Sequence, residues 1–189
     1  MKGPMIASPT GDGKYWVLQE PMQYEHPVTK EQIEIPRGFV TDLASVPRLF
    51  WTAFPPCGKY TSAAVLHDYL YWVQSEKCGR ECSDDVLLLA MKEAGVNGIT
   101  RNSIYTAVRV GGESSWEDNA KLKLSGVVRV IPEEHMGFDA YESWEQIQNK
   151  INTAKDSQQL PNKSIKPCVH KNCTHSDQAN SSPVHFTQL

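Results

Sequence analysis

The sequence has no long hydrophobic run. No stretch approaches the roughly 18 or more apolar residues of a membrane span, and Met1-Lys2-Gly3-Pro4 does not lead into the apolar segment of a secretory signal. Runs of lysine or arginine are also missing. With 19 basic residues against 22 acidic ones and a formal net charge of −3, the chain lacks a broad basic nucleic-acid surface. Cysteine is sparse and odd in number: Cys57, Cys78, Cys82, Cys168 and Cys173 are scattered, unlike the framework of a secreted disulfide scaffold, so reduced thiols and synthesis in the cytoplasm are expected. No repeat of about 20 to 50 residues is present. What is there is ordinary globular material, 189 residues of which 40% are hydrophobic and 22% charged, enough for one core without cross-links.

Pro4, Pro9, Gly11 and Gly13 mark residues 1–14 as a lead-in with little structure. The aromatic and β-branched run from Tyr15 to Tyr24 reads as a strand, and Ile33 and Ile35 alternate with Gln32 and Glu34 at the two-residue period of a second, half-buried one. Phe39-Val40 is a candidate third. From Ser45 the pattern turns helical: a short helix or 3₁₀ turn over 46–54, then a helix from Ala63 to Gln74 with Thr61 or Ser62 as its cap. Ser83 reads as the N-cap of a helix ending before Gly95, with Asp84 and Asp85 in its first turn. Thr100 or Asn102 opens a third helix that Gly111-Gly112 would stop, and residues 114–124 can extend helically. Val127 to Ile131 reads as a strand, and Ser143 to Thr153 as a polar helix with Trp144, Ile147 and Ile151 as its apolar stripe. The expected fold is α+β: a small N-terminal antiparallel sheet packed on three or more helices, one domain over 15–154. From 155 to 189 the composition is too polar to offset ordering entropy, and a disordered tail is expected.

The chain concentrates its chemistry between Gly38 and Tyr71. Gly38-Phe39-Val40-Thr41-Asp42-Leu43-Ala44-Ser45-Val46-Pro47 sets an acid and two hydroxyls in a loop after a strand. Ala63-Ala64-Val65-Leu66-His67-Asp68-Tyr69-Leu70-Tyr71 sets a histidine and an aspartate in a helix apolar on nearly every face. Such groups in such surroundings are costly unless partnered or used. These phrases, followed by Arg80 with Asp84, Leu88 and Gly95, resemble the phage and bacterial family called domain of unknown function 1353 over roughly residues 13–116. The resemblance implies a gene carried by phages, prophages and bacteria, and it marks Thr41, Asp42, Ser45, Pro47, His67, Asp68 and Asp84. The chain departs from the family around the third acid, where Ser83 and Leu87 replace a small apolar residue and an aromatic.

Two catalytic arrangements suit this set. In one, Asp42, His67 and Asp68, supported by Thr41, Asp84 and Tyr71, converge on a zinc or manganese ion or on one water, the mixed nitrogen and oxygen donors suiting such an ion. In the other, Ser45 is a nucleophile, His67 its base, and Asp42, Asp68 or Asp84 the orienting carboxylate. His26 is a remote candidate for a second metal-binding histidine. A non-catalytic arrangement has the same residues fix the loop on the helix. Elsewhere, Cys168, His170, Cys173 and His175 have the ligand types of a tetrahedral zinc site. Cys78 and Cys82 flank Gly79-Arg80-Glu81 in a loop, where they could pair or bind metal with Cys57, and unpaired structural thiols are the favoured reading. Trp51, Phe54, Tyr60, Tyr69, Tyr71 and Trp72 would build core or line a sugar or base pocket. The sequence thus leaves a small phage-type hydrolase acting on cell wall, nucleotide or protein, or a phage accessory or virion-associated protein without activity.

Overall fold

The computed structural model describes residues 1, 3–43 and 58–159. The expected helix over 46–54, Ser45, Pro47, Trp51, Phe54, Cys57 and the cysteine–histidine cluster at 168–175 lie outside the described residues.

An antiparallel sheet and four helices make the α+β fold expected from the sequence, with the strands divided between two sheets. In the first, β2 (Trp16–Leu18) pairs on one side with β1 (Ala7–Pro9) and on the other with β5 (Val40–Thr41), placing Trp16 opposite Thr41 and Val17 opposite Val40. The second is a hairpin of β3 (Met22–Glu25) and β4 (Gln32–Ile35), in register from Met22–Ile35 to Glu25–Gln32. Met22, Tyr24 and Ile35 are buried while Gln23 and Glu34 face solvent, the alternation of a strand with one wet face. His26 belongs to the hairpin turn, where its Nδ1 accepts from the backbone N–H groups of Val28 and Thr29.

Three expectations about strands change. The stretch read as a lead-in contains β1. The run from Tyr15 to Tyr24 is two strands, because the chain bends at Glu20, and Pro21 has no N–H to continue a ladder. Residues 127–131 form no strand; they touch the sheet through a single bridge between Val130 and Phe39, flanked by bonds from Val40 N–H to the Arg129 carbonyl and from Ile131 N–H to the Gly38 carbonyl. Gly38 is required at that crossing: its φ is +81°, and a Cβ there would lie 2.5 Å from the Ile131 carbonyl oxygen.

The helices follow as α1 (Thr61–Val73), α2 (Arg80–Glu93), α3 (Gly98–Leu124) and α4 (Trp144–Gln159), with a 3₁₀ turn at Glu133–His135. No side chain caps α1, and Thr61 instead accepts from the Gly58 N–H through its hydroxyl. Helix α2 begins at Arg80 after an N-cap at Gly79, so Ser83 and Asp84 are interior helical residues and both are buried. Cys78 and Cys82 are joined as a disulfide across this helix start, which corrects the expectation of free thiols. Asn97 caps α3 through a bond from Thr100 N–H. That helix runs straight through Gly111-Gly112, where a stop was expected, because Gly112 is packed under α1 rather than freed to turn. Helix α4 carries the chain past the expected tail boundary at 155.

Two apolar clusters meet at the first sheet. Adjacent strand residues point to opposite faces, so Leu18 and Phe39 join Tyr24, Ile35, Leu66, Leu87 and Met91 between the hairpin and helices α1 and α2. Val17 and Val40 face the other way and pack with Ile131, Met136, Trp144, Ile147 and Ile151, which docks α4 by the stripe visible in its sequence. Tyr60 and Trp72 belong to the first cluster, and Tyr69 meets Phe39 edge-on with ring centroids 5.2 Å apart. Among the described residues no helix is long and apolar enough to cross a membrane. Ile147 is 1% exposed, so Ile147→Ala should lower unfolding free energy in urea by about 2–5 kcal/mol; a loss below about 0.5 kcal/mol would show that α4 is not part of the cooperative unit.

Candidate functional site

Two local features fix the chain where β5 ends. Leu43 has a φ of +54°, a strained conformation for a residue with a side chain. Its N–H donates to the Thr41 hydroxyl at 3.1 Å. The same hydroxyl donates to Asp68 Oδ2 on α1. Thr41 therefore ties the end of the sheet to the helix that carries His67.

On α1, residues 67 and 71 are one turn apart and share a face, and both point to the same oxygen of α2. His67 Nε2 lies 2.9 Å from Asp84 Oδ1, and the Tyr71 hydroxyl donates to that atom at 2.7 Å. The two rings pack with centroids 4.1 Å apart. The second carboxylate oxygen is held from the other side. Arg80, one turn earlier on α2, reaches Oδ2 at 3.2 Å, and Arg109 Nη1 on α3 stands 3.6 Å away, an ion-pair distance too long for a hydrogen bond. The arginines are themselves anchored, Arg80 Nε to Glu113 at 3.1 Å and Arg109 Nη2 to Glu81 at 3.1 Å.

Asp84 is 0% exposed and His67 3%. Burial pushes the Asp84 carboxyl up, but the hydrogen bonds from His67 and Tyr71, with the charges of His67 and Arg80, outweigh it and hold the group below its ordinary value. Asp84 is therefore ionised at neutral pH. An ionised carboxylate only accepts, so the Nε2–H of His67 donates to Asp84. Burial, and next the bond to Asp84, raise the Tyr71 hydroxyl far above its ordinary value, so it stays a donor.

Tyr71 reaches Asp84 only because α3 has no side chain at 112. A Cβ on Gly112 would overlap the Tyr71 hydroxyl. Trp116, one turn on, packs edge-on against the Tyr71 ring at 5.1 Å.

Of the residues expected at the site, Asp42, His67, Asp68 and Tyr71 line one cavity of about 490 Å³ between α1 and α3, with Arg129 also on its wall. Asp84 supports His67 from behind that wall, and Thr41 supports Asp68. Ser45 lies outside the described residues. The expected metal trio does not assemble: among the described residues no group of three histidine, cysteine or acidic side chains is placed to hold a metal ion. The physical reason is that His67 Nε2 faces Asp84, while Asp68 is engaged by Thr41. Reading Asp84 as a surface acid of a first turn is likewise replaced by its position inside the fold. Arg109 and Gly112 were not visible as site residues from sequence. Arg80 entered only through the family resemblance, because its ion pair with Asp84 one turn on depends on α2 starting before Ser83.

Replacing Asp84 by Asn should cost about 3–5 kcal/mol at pH 7 by leaving Arg80 without its buried partner. The pH dependence has a defined sign. A carboxyl lowered in the folded state contributes stability fully above its unfolded value, near 3.8, and loses it as pH falls through the lower folded value. Urea unfolding between pH 3 and 7 should therefore show the advantage of the wild type over Asp84→Asn shrinking below about pH 4; a constant difference across that range would refute the assignment.

Residues 16–108 match the family model described as "Protein of unknown function (DUF1353)". No curated protein and no solved structure matches the chain. The matched stretch contains β2 to β5, α1, α2 and the first part of α3, and with them Thr41, Asp42, His67, Asp68, Tyr71, Arg80 and Asp84. The part of the chain that carries this network is thus a DUF1353 domain.

Proposed function

We propose that this protein is a small hydrolase in which His67 activates a water molecule. The observation that supports this reading is a histidine whose tautomer is set by a buried, ionised aspartate and which stands on the wall of a cavity. The imidazole of His67, held at Nε2 by Asp84, takes a proton from the water as the water oxygen attacks the electrophilic carbon of an ester or amide. The imidazolium so formed is stabilised by Asp84 and returns the proton to the leaving group. Asp42 and Asp68, on the same wall, accept hydrogen bonds from water or substrate. A phage-borne hydrolase of this size would meet the host cell wall as its first polymer, or reside in the virion.

A second reading is favoured by a different observation. Asp84 gathers His67 and Tyr71 of α1, Arg80 of α2 and Arg109 of α3, and Thr41 joins β5 to α1. A non-catalytic phage accessory or virion-associated protein would need the network only to fix the loop on the helices.

Hydrolysis assays separate the two. With 4-nitrophenyl acetate and with peptidoglycan sacculi as probes, the full chain should hydrolyse at least one. His67→Gln should reduce that rate by about 100-fold or more while the folded protein retains its circular-dichroism spectrum. Chelator treatment should leave the rate unchanged. Absence of turnover on both probes, or equal rates for His67→Gln and wild type, would favour the structural reading. Loss of rate on chelation, restored by zinc or manganese, would overturn the metal-free step.

A further inference from the structure

The start of α2 lacks the group that ordinarily holds a helix start together. Its N-cap is Gly79, which has no side chain, and no side-chain hydrogen bond caps the first turn. That turn begins with Arg80, the residue that grips Asp84 Oδ2 and Glu113. Besides the bond from the Ser83 hydroxyl to the Gly79 carbonyl at 3.1 Å, what crosses the helix start is the disulfide from Cys78, immediately before the cap, to Cys82, inside the first turn. It encloses Gly79 and Arg80, and so performs the constraining role of the missing cap. It is also open to attack: Cys82 is exposed and Cys78 half-buried, unlike a disulfide sealed in a core.

We propose that Cys78–Cys82 is a thiol–disulfide exchange site for a dithiol reductant, and that reducing it loosens the grip of Arg80 on Asp84. A thiolate of the reductant attacks the exposed Cys82 sulfur, forming a mixed disulfide and releasing Cys78 as a thiolate, which takes a proton. The second thiol of the reductant then displaces Cys82, which also takes a proton. Two electrons and two protons pass to the protein, and the reductant leaves as its own disulfide. With the staple open, the uncapped first turn frays and Arg80 moves with it, leaving the carboxylate that orients His67 with less support. The regulatory meaning rests on the reading of His67 and Asp84 as a working pair; the chemical claim does not, and its test uses no activity.

Trypsin cleaves after Lys77, Arg80 and Lys92, so the peptides Cys78–Arg80 and Glu81–Lys92 stay joined only through the disulfide. Mass mapping of air-oxidised full-length protein, alkylated before digestion, should find that joined pair, and dithiothreitol added to the folded protein should convert it to two alkylated peptides. Hydrogen exchange over residues 79–85 should then rise about tenfold or more, and the melting temperature should fall by about 2–4 °C. The Cys78→Ser/Cys82→Ser variant should show the faster exchange from the outset, with no response to dithiothreitol. Free thiols at both positions in oxidised protein, pairing of either with another cysteine, resistance of the pair to dithiothreitol in the folded state, or reduction without faster exchange over 79–85 would each overturn the proposal. A chain that fails every hydrolysis assay yet passes these leaves the exchange site standing.

Discussion

A single ionised carboxylate, Asp84, sets the terms for the middle of this protein. Stripping water from a carboxylate costs several kcal/mol in a protein interior, and here that cost is offset by hydrogen bonds from α1 and by arginines of α2 and α3. His67 and Tyr71 approach one oxygen, Arg80 and Arg109 the other. Helices α1, α2 and α3 are thereby held at fixed mutual depth, since sliding any of them would leave a buried charge without its partner. The glycine at 112 follows from the same demand: a helix interior gives up about 1 kcal/mol to accommodate glycine, and in return the Tyr71 hydroxyl gains the space it needs against α3.

The network has an inner and an outer side. Asp84 and the arginines are inside, and their anchoring acids Glu81 and Glu113 lie toward solvent. His67 and Tyr71 bridge from this cluster to the cavity, where Asp42 and Asp68 stand. Charge is thus arranged in layers, with His67 as the one member of the Asp84 pair that touches cavity space.

Much of this was legible in the sequence where a local rule applied. The alternation in 32–35, the stripe of Trp144, Ile147 and Ile151, and the costly His67 and Asp68 in an apolar helix each point to what is found. What was not legible depended on long-range geometry. Ser83 has the chemistry of an N-cap, yet α2 starts earlier, because the Cys78–Cys82 link organises the preceding residues. Gly111-Gly112 reads locally as a helix stop, and only the Tyr71 ring on a distant turn shows it to be a notch. Asp84 was legible as a candidate partner of His67, but its meeting with Arg109 depends on folding. The residues that converge on it are separated by up to tens of positions, and no periodicity records such a meeting.

The three residues of β2 have a consequence for what counts as a self-sufficient folding unit. Val17 serves one apolar cluster and Leu18 the other, so the strand is a shared wall with no spare face. The matched family stretch ends at residue 108, but the side chains that cover Val17 and Val40 come from Ile131, Met136 and α4, and Arg109 and Gly112 also lie beyond it. A fragment cut to the matched residues would keep every charged group on α1 and α2 while exposing half of its sheet and removing one arginine from Asp84. The unit that covers both faces of the sheet and surrounds Asp84 is therefore larger than the family stretch.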